Sequence, residues 1–238
     1  MLDWLIVGGG IHGVFLAITL LRRGITAPAK LRIIDPHPEL LSAWTHHTTA
    51  CGMVYLRSPG AHGLEPDFSS VPRWAQETGW NWAANTISPY DRPSLELFSA
   101  YAADNLRRYR LSTLHIRGLV TAARPTENGW IIDVRRSFGD GAATPHRANG
   151  ELRALHSRRV ILAPGNRSEL EIPIWAHNLE HCTHVYDEEF DRDSLLQAGD
   201  LLIVGGGIAA VQLASWCAAH TERPVRMISR APIRVAQF

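Results

Sequence analysis

The feature that most constrains this chain is a strand-turn-helix segment that occurs twice. The first copy reads Asp3-Trp-Leu-Ile-Val-Gly-Gly-Gly-Ile-His-Gly13, and the second reads Asp200-Leu-Leu-Ile-Val-Gly-Gly-Gly-Ile-Ala-Ala210. In each copy a short apolar run of strand length precedes the glycines, and an apolar helical stretch follows them. This order is typical of a βα unit in a parallel sheet. A further apolar run follows each helix, at residues 31–34 and 225–228, so the sequence predicts two βαβ units.

The first glycine turn has the spacing of a dinucleotide-binding site. Its first glycine permits a tight bend, its second allows backbone to approach a pyrophosphate, and its third lets the helix pack close to the sheet. The helix N-terminus then presents unpaired N–H groups to the phosphates, and an acid at the end of the next strand can accept hydrogen bonds from ribose hydroxyls. A glycine turn in another kind of α/β protein is the alternative. The residues predicted to bind are Gly8, Gly10, Ile11, His12, Gly13 and Asp35.

The second turn departs from the first at two places. Ala210 replaces the third glycine, a variant that the fingerprint tolerates. The strand after it ends in Arg230 instead of an acid, and a cation there suits the 2′-phosphate of NADP. This favours NADPH over NADH, the alternative being that Arg230 is a surface arginine. The residues predicted to bind are Gly205, Gly207, Ile208, Ala210 and Arg230.

Composition narrows the class of protein. Of 238 residues, 45% are hydrophobic and 20% charged, with a formal net charge of +1, so no charged footprint for nucleic acid or an anionic membrane is expected. No apolar run is long enough to span a membrane, and no secretory signal precedes the first strand, which predicts a cytoplasmic protein. The three cysteines are far apart, which predicts no metal site. A small-molecule substrate is the expected partner.

Between the two units the pattern changes several times. Residues 36–93 are rich in Pro, Gly, His, Ser and Trp, which predicts ordered loops with short helices at most. Apolar spacing then predicts one helix, two antiparallel strands, an exposed hairpin tip and a buried strand entering a turn. These five segments are Leu95 to Tyr109, Leu114 to Val120, Gly129 to Val134, Gly139 to Gly150 and Val160 to Gly165.

Two glycine turns separated by such a strand pair and by Ala163-Pro-Gly165 resemble the two-dinucleotide-binding flavoproteins. Within that class the chain is most similar to flavin-containing monooxygenases and to the N-hydroxylating monooxygenases of lysine and ornithine. The resemblance implies FAD at the first turn and NADPH at the second. Pro164 replaces the threonine of the Ala-Thr-Gly motif of this group, and the strand around Val120 corresponds to the one that touches adenine. The remaining residues assigned to FAD are Trp44, Val120, Ala163, Pro164 and Gly165.

The resemblance also implies a domain organisation. We expect an α/β chain whose residues 1–198 form a Rossmann-like FAD-binding domain with a parallel sheet and a small antiparallel β insertion at about 112–160. Residues 199–238 begin a second Rossmann-like, NAD(P)H-binding domain. Because that domain is incomplete, we expect part of a longer protein, with weak NADPH oxidation and possible homo-oligomers. A short, non-catalytic nucleotide-binding module is the alternative.

The chemistry implied is oxygen insertion into a soft nucleophile, an amine or a thioether, through a C4a-hydroperoxyflavin. The flavin performs it, so no catalytic triad or carboxylate pair is required. Trp175-Ala-His-Asn-Leu-Glu-His181 has the spacing of the monooxygenase fingerprint, although His184 could be the aligned histidine. Arg57 and Arg92 lie in loops that resemble those bordering the flavin. Paired loop histidines and plain loop salt bridges are the structural alternatives.

A second enzymatic interpretation comes from Ala50-Cys-Gly-Met53. It resembles the single-cysteine flavin peroxidases and NAD(P)H oxidases, in which a thiol beside the flavin cycles through a sulfenic acid. Cys51 follows Asp35 by 16 residues, which is late for that group. The alternative is that Cys51 is a small buried hydrophobic residue.

Overall fold

The computed structural model describes residues 1–136, 150–165, 170–197 and 199–233. The predicted hairpin tip at residues 139–150 therefore lies, except for Gly150, outside the described residues. The strands are β1 (Leu2–Val7), β2 (Leu31–Asp35), β3 (Thr86–Ile87), β4 (Arg92–Pro93), β5 (His115–Thr126), β6 (Gly129–Arg136), β7 (Leu152–Leu162), β8 (Leu201–Val204) and β9 (Val225–Ile228). The helices are α1 (Ile11–Arg22), α2 (Ser42–Ala50), α3 (Ser70–Glu77), α4 (Leu95–Arg108) and α5 (Ile208–His220).

The central sheet is parallel and runs in the order β5, β2, β1, β7. β1 lies in the middle, with Leu5 paired to Arg32 of β2 on one side and to Val160 of β7 on the other. Parallel neighbours need a crossover connection, and α1 supplies the first one between β1 and β2. The carboxyl ends of β1 and β7, where the glycine turn and Ala163 begin, therefore meet at one edge of the sheet.

Two long strands, β5 and β7, each pair in parallel at one end and antiparallel at the other. The first residues of β5 pair with β2, and the rest, from Gly118, pair antiparallel with β6. β7 begins antiparallel to β6 and, from Ser157 onward, runs parallel to β1. The predicted antiparallel insertion is confirmed, and its outer strands continue into the parallel sheet and close it on itself. Closure pairs strand edges that would otherwise be exposed.

The two faces of β1 and β2 pack into separate cores because successive side chains alternate across a strand. Ile6 and Ile33 face the helices, where they join residues of α1 and α4 such as Ile18 and Leu97. The opposite face carries Leu5 and Ile34, which pack with Ile132 and Val134 of β6. The sheet is therefore buried on both sides, as expected for parallel strands.

The second βαβ unit consists of β8, α5 and β9, with two parallel strands. Its inner face buries Ile203 against Leu213, Ala214 and Cys217 of α5. The outer face leaves Leu202, Val204 and Ile228 more than half exposed. Within the described residues, β8 and β9 share no strand pairing with the first sheet.

Most predicted elements agree with the structure. The helix predicted over Leu95 to Tyr109 is α4, which ends one residue earlier, at Arg108. Ser94 caps it by accepting a 3.2 Å hydrogen bond from the Leu97 N–H. The loop-rich region contains two short helices, α2 and α3, as predicted. None of the helices described is both long and apolar enough to cross a membrane.

Candidate functional site

The first glycine turn is fixed by close backbone contacts that leave no room for side chains. Gly8 has φ +108°, and a Cβ there would lie 2.1 Å from the carbonyl oxygen of Ala163. A Cβ on Gly13 would lie 1.9 Å from the carbonyl oxygen of Gly8. The Gly8 N–H donates to Ile34 at 2.8 Å, and the Ala163 N–H donates to Val7 at 2.8 Å. The turn, β2 and the Ala163 segment therefore form one rigid unit.

The first glycine turn is open at Gly10. A Cβ built on Gly10 would meet no described atom within 4 Å. Gly10 is the N-cap of α1, no side chain caps the helix, and its first turn carries no acidic residue. The first N–H groups of a helix have no intrahelical acceptor and carry partial positive charge. The open space at Gly10 and the free N–H groups at the start of α1 together fit the pyrophosphate of a dinucleotide. Gly10, Ile11 and His12 would lie nearest to it.

Asp35 binds the turn itself. Its Oδ2 accepts a 2.7 Å hydrogen bond from the Gly9 N–H, and its Oδ1 accepts one of 2.9 Å from the His37 N–H. The His37 ring Nδ1 also lies 2.7 Å from Oδ1. Burial alone would raise the pKa of Asp35, but the hydrogen bonds from His37 and Gly9 outweigh it, so the pKa lies below its ordinary value. The carboxylate therefore holds β2 to the turn, and its contact with ribose stays a prediction.

The segment after β2 covers the turn, which the sequence did not predict. The Leu41 N–H donates to the Gly9 carbonyl oxygen at 2.8 Å. Leu40 lies so close that a Cβ on Gly9 would be 2.6 Å from its Cδ2. The middle glycine of the Gly-Gly-Gly run was the available signal, because a residue without a side chain permits such an approach. Trp44, assigned to FAD, is half-buried beside Phe98 with ring centroids 5.6 Å apart.

The other residues assigned to FAD lie at different distances from the turn. Ala163 contacts Gly8 directly, as described above. Pro164 and Gly165 are exposed beyond it, and a Cβ on Gly165 would meet no described atom within 4 Å. Val120 packs at the edge of the core between the parallel sheet and β6. The adenine contact proposed for it stays a prediction.

The two loops that resemble flavin-bordering loops are brought together by the fold. Tyr55 and Ser94 form an antiparallel bridge, and the Leu56 N–H donates to Pro93 at 2.9 Å. Arg92 donates from Nη2 to the Ser88 carbonyl oxygen at 3.0 Å, and its buried Nε has no partner within the described residues. Arg57 is exposed.

The candidate histidines do not converge on the first glycine turn. His181 is exposed and has φ +64°. His184 accepts a 3.1 Å hydrogen bond at Nδ1 from the Tyr186 N–H. Tyr186 also lies against His47 of α2, with ring centroids 4.3 Å apart. Of the two candidates, His184 is therefore the one that lies in a cluster with the first unit.

Cys51 is 2% exposed at the end of α2. Its Sγ–H donates to Gln212 Oε1 of α5 at 3.3 Å. Burial raises the pKa of the Cys51 thiol, although Arg57 and Arg192 act in the opposite direction. Reactive cysteines are partly exposed and have lowered pKa values. The environment of Cys51 disfavours the single-cysteine peroxidase interpretation.

The second glycine turn repeats the backbone plan of the first. Gly205 has φ +142°, and its N–H donates to the Ile228 carbonyl oxygen at 2.8 Å. A Cβ on Gly206 would lie 3.0 Å from the Cβ of Ser229, while one on Gly207 would meet no described atom within 4 Å. Ser229 therefore occupies the position that Asp35 has in the first unit. Arg230 is exposed and follows it directly.

A cavity of about 470 Å³ lies beside α2. It separates α2 from residues 190–193, and its lining includes Leu40, His46 and Arg192. The buried Nε2 of His46 has no hydrogen-bond partner within the described residues. Among the described residues, no three His, Cys, Asp or Glu side chains come together as a metal site.

The fold is shared with several solved flavoproteins. OTEMO in complex with FAD and NADP has a TM-score of 0.64 at 18% identity, over 97% of this chain and 39% of that one. The FAD-bound cadaverine monooxygenase DfoA of Erwinia amylovora has a TM-score of 0.62 at 14% identity, over 98% of this chain and 52% of that one. A steroid monooxygenase bound to NADP has a TM-score of 0.61 at 18% identity, over 95% and 38%. The chain thus spans between 38% and 52% of the length of these three structures.

The sequence itself also identifies a family. No curated protein matches this sequence. A family model described as FAD-NAD(P)-binding matches residues 5–167, a range that includes the first glycine turn, Asp35 and Ala163. These residues form the rigid turn and the open helix N-terminus described above. The predicted α/β flavoprotein fold is confirmed, and the chain belongs to the FAD-NAD(P)-binding family.

Proposed function

We propose that this protein contributes the FAD site and the beginning of the NADPH site of a flavin-dependent monooxygenase. Its substrate would be a soft nucleophile, an amine or a thioether. NADPH and FAD supply the chemistry when bound, which is hydride transfer followed by activation of dioxygen. The residues of this chain bind the two cofactors, orient them and limit the access of water. A cytoplasmic location and a small-molecule substrate are part of the proposal.

One observation carries the FAD assignment. The first turn is closed on the protein side by Gly8 and Gly13 and open on the solvent side at Gly10. A capping side chain in place of Gly10 would stabilise α1 by only about a few tenths of a kcal/mol, so the uncapped N-terminus costs little and leaves its N–H groups free for a ligand. An anionic ligand stabilises the same N–H groups and takes the place of a cap. The geometry therefore supports a pyrophosphate at this position.

The choice of NADPH over NADH rests on the second turn. Ser229 stands where an acid would bind the ribose hydroxyls, and a neutral serine does not repel a 2′-phosphate. Arg230 is the next residue, and its exposed guanidinium is suited to bidentate binding of a phosphate. OTEMO and the steroid monooxygenase, which have the same fold, were solved with NADP. This similarity supports the proposal for the second turn.

The monooxygenase assignment rests on the structures that share this fold. DfoA is a cadaverine monooxygenase and another similar structure is a steroid monooxygenase, so this fold occurs in monooxygenases named for an amine and for a steroid. Arg57, Arg92 and His184 are the polar side chains that we propose near the flavin or the substrate. The buried, unpartnered Nε of Arg92 supports this, because such a donor gains a hydrogen bond when a polar ligand binds.

Reciprocal substitutions in the two turns test the assignment of the cofactors. Gly10 and Gly207 have matching backbone conformations, and an added Cβ meets no described protein atom at either position. Gly10→Ala is expected to weaken FAD binding at least about tenfold, equivalent to 1.4 kcal/mol, and to lower stability by no more than about 1 kcal/mol, since alanine is a poorer N-cap than glycine. Gly207→Ala should retain FAD and weaken NADPH binding by a similar factor. FAD and NADPH titrations of both variants, with thermal melts, measure these effects.

The cofactor binding and the activity of both variants are compared with those of the unmodified protein. Flavin absorbance after reconstitution and NADPH-dependent oxygen consumption with an amine and with a thioether provide the activity measurement. Equal loss of both cofactors in both variants would show that the two turns do not have separate ligands. A protein that remains colourless after reconstitution with FAD would contradict the proposed function.

A further inference from the structure

The two nucleotide-binding units meet at a small interface between α2 and α5. Gly52, in the turn after α2, has φ +67°, and a Cβ there would lie 2.6 Å from the Cβ of Trp216. One helical turn earlier on α5, Gln212 accepts the hydrogen bond from Cys51. The backbone of the first unit is thus in direct contact with one face of α5. No strand pairing joins the units in the described residues, so contacts of this kind, together with that of Tyr186 with His47, hold their relative orientation.

Arg192 connects the two sides of this interface. Its guanidinium carbon lies 4.0 Å from the centroid of the Trp216 ring, a cation–π contact. Nη1 donates a 2.9 Å hydrogen bond to the carbonyl oxygen of Thr49, in the last turn of α2. Nε and Nη2 donate to Oδ1 of Asp193 at 3.1 and 3.0 Å. The cation also lies at the C-terminus of α2, where the helix dipole favours positive charge.

Arg192 lies in a segment that packs on the second unit, although the sequence placed residues up to 198 in the first domain. Its neighbours in sequence, Val185, Phe190 and Leu195, pack against the core of β8, α5 and β9. Its contact with Thr49 is therefore made across the interface, whereas its contact with Trp216 lies within the unit. The side chain is 22% exposed, which makes the pair of contacts less sensitive to solvent than a surface ion pair.

We propose that Arg192 is a positioning residue, which holds the second unit in one orientation on the first and so fixes the separation of the two glycine turns. Its consequence for reactivity rests on the proposed function, because hydride transfer needs the reacting atoms within about 3.5 Å of each other. Trp216 lies nine residues beyond Gly207. A tilt of α5 by roughly 10° about Trp216 would move its N-terminus by about 2 Å, given a rise of about 1.5 Å per residue.

A distance measurement tests the orientation without any nucleotide. Nitroxide labels are placed on cysteines substituted for His12 and Ile208, both exposed at the starts of α1 and α5. The background is Cys182→Ser, since Cys51 and Cys217 are buried. Pulsed electron paramagnetic resonance should give one narrow distance distribution for this parent. Arg192→Ala should broaden it at least about twofold. Arg192→Lys, which keeps the charge without the planar fork, should be intermediate.

The functional consequence is measured on the unlabelled, FAD-loaded protein. Arg192→Ala should slow anaerobic flavin reduction by NADPH about tenfold, because small misplacements of reacting groups are costly. The dissociation constant of FAD should not change, which distinguishes positioning from a general loss of structure. Arg226→Ala is the matched control, since this exposed arginine forms its ion pair with Asp200 inside the second unit and should leave both measurements unchanged.

Two outcomes would overturn the proposal. The first is a distance distribution in Arg192→Ala as narrow as that of the parent. The second is a broadened distribution with an unchanged reduction rate. If Arg192→Ala fails to fold, Arg192→Lys is compared with the parent in the same way. Failure of the parent itself to be reduced by NADPH counts against the proposed function, while the distance distribution still decides on Arg192.

Discussion

The two glycine turns share a backbone plan and differ in what surrounds it. In both, the N–H of the first glycine donates a 2.8 Å hydrogen bond to the end of the neighbouring strand, at Ile34 and at Ile228. In both, the third glycine of the run, Gly10 or Gly207, faces open space. The local motif is therefore sufficient to form the turn and to leave the helix N-terminus free for an anion.

The surroundings make the first turn far less tolerant than the second. A Cβ on Gly8 would collide with the backbone of Ala163, whereas one on Gly205 would meet only the Cβ of Ala210 at an ordinary 3.4 Å. The Asp35 carboxylate accepts the Gly9 N–H, whereas the Ser229 hydroxyl donates to the Ala231 carbonyl oxygen at 2.7 Å. The backbone conformation requires glycine at Gly8 (φ +108°) and at Gly205 (φ +142°) alike, and the neighbouring strand adds a steric requirement only in the first turn.

The largest expected effect concerns the third position of the fingerprint. Gly13→Ala places a Cβ 1.9 Å from the Gly8 carbonyl oxygen, so it should destabilise the first unit by about 3 kcal/mol through overpacking. The converse change, Ala210→Gly, should cost the second unit only about 1 kcal/mol of helix propensity. Amide hydrogen exchange gives the opening free energy of each unit separately. Equal costs would show that the two turns pack alike.

The second effect concerns the acid of the first turn. Asp35→Asn removes a charged acceptor from two backbone N–H groups and should lower the free energy of unfolding by about 2 kcal/mol at pH 7. The folded-state pKa of Asp35 is lowered, so the carboxylate stabilises the fold at neutral pH and loses this contribution as the pH falls through that pKa. The free energies of unfolding of wild type and variant should begin to converge below about pH 4.

Urea unfolding at pH 7 and at lower pH values measures this effect. Ser229→Ala is the matched control in the second turn, where no carboxylate holds the middle glycine, and should show no such pH dependence. If the difference in unfolding free energy between wild type and Asp35→Asn grows as the pH falls, the role assigned to Asp35 is contradicted.

The smallest expected effect concerns specificity at the second turn. Arg230→Ala should raise the dissociation constant of NADPH about tenfold, equivalent to 1.4 kcal/mol, through loss of a charge-assisted contact with the 2′-phosphate. NADH binding and thermal stability should not change, because Arg230 is exposed. Fluorescence titrations with NADPH and with NADH measure the two dissociation constants. Equal weakening of NADPH and NADH would place Arg230 elsewhere in the site.

Several parts of the fold could be predicted from sequence because they depend on local periodicity. The apolar spacing of α4 and the alternation of β5 and β6 identified these elements, with boundaries within two residues except at the end of β5, which continues from Val120 to Thr126. The closure of the sheet could not be predicted, because each end of β5 and β7 pairs with a different partner and periodicity carries no information about pairing. The two glycine turns were recognised because steric limits on backbone conformation apply wherever the chain bends in this way.

The interface of α2 and α5 was also outside the reach of sequence reasoning. Arg192 and Trp216 belong to no motif, and both lie more than one hundred residues beyond Gly52 in the sequence. Cys51 was noticed for its chemistry, and only its burial and its bond to Gln212 changed that interpretation. Such residues acquire a role from what they contact, which depends on how distant segments pack.

The sequence by itself determined that the chain forms two strand-turn-helix units with open helix N-termini, since short-range sterics and hydrogen bonding fix a glycine turn. Tertiary structure alone decided three further points: that Gly8 must accommodate Ala163, that Asp35 binds Gly9, and that Arg192 spans the two units. The physical reason is range. A turn is set by neighbours in sequence, whereas a contact across the fold is set by the packing of the whole chain.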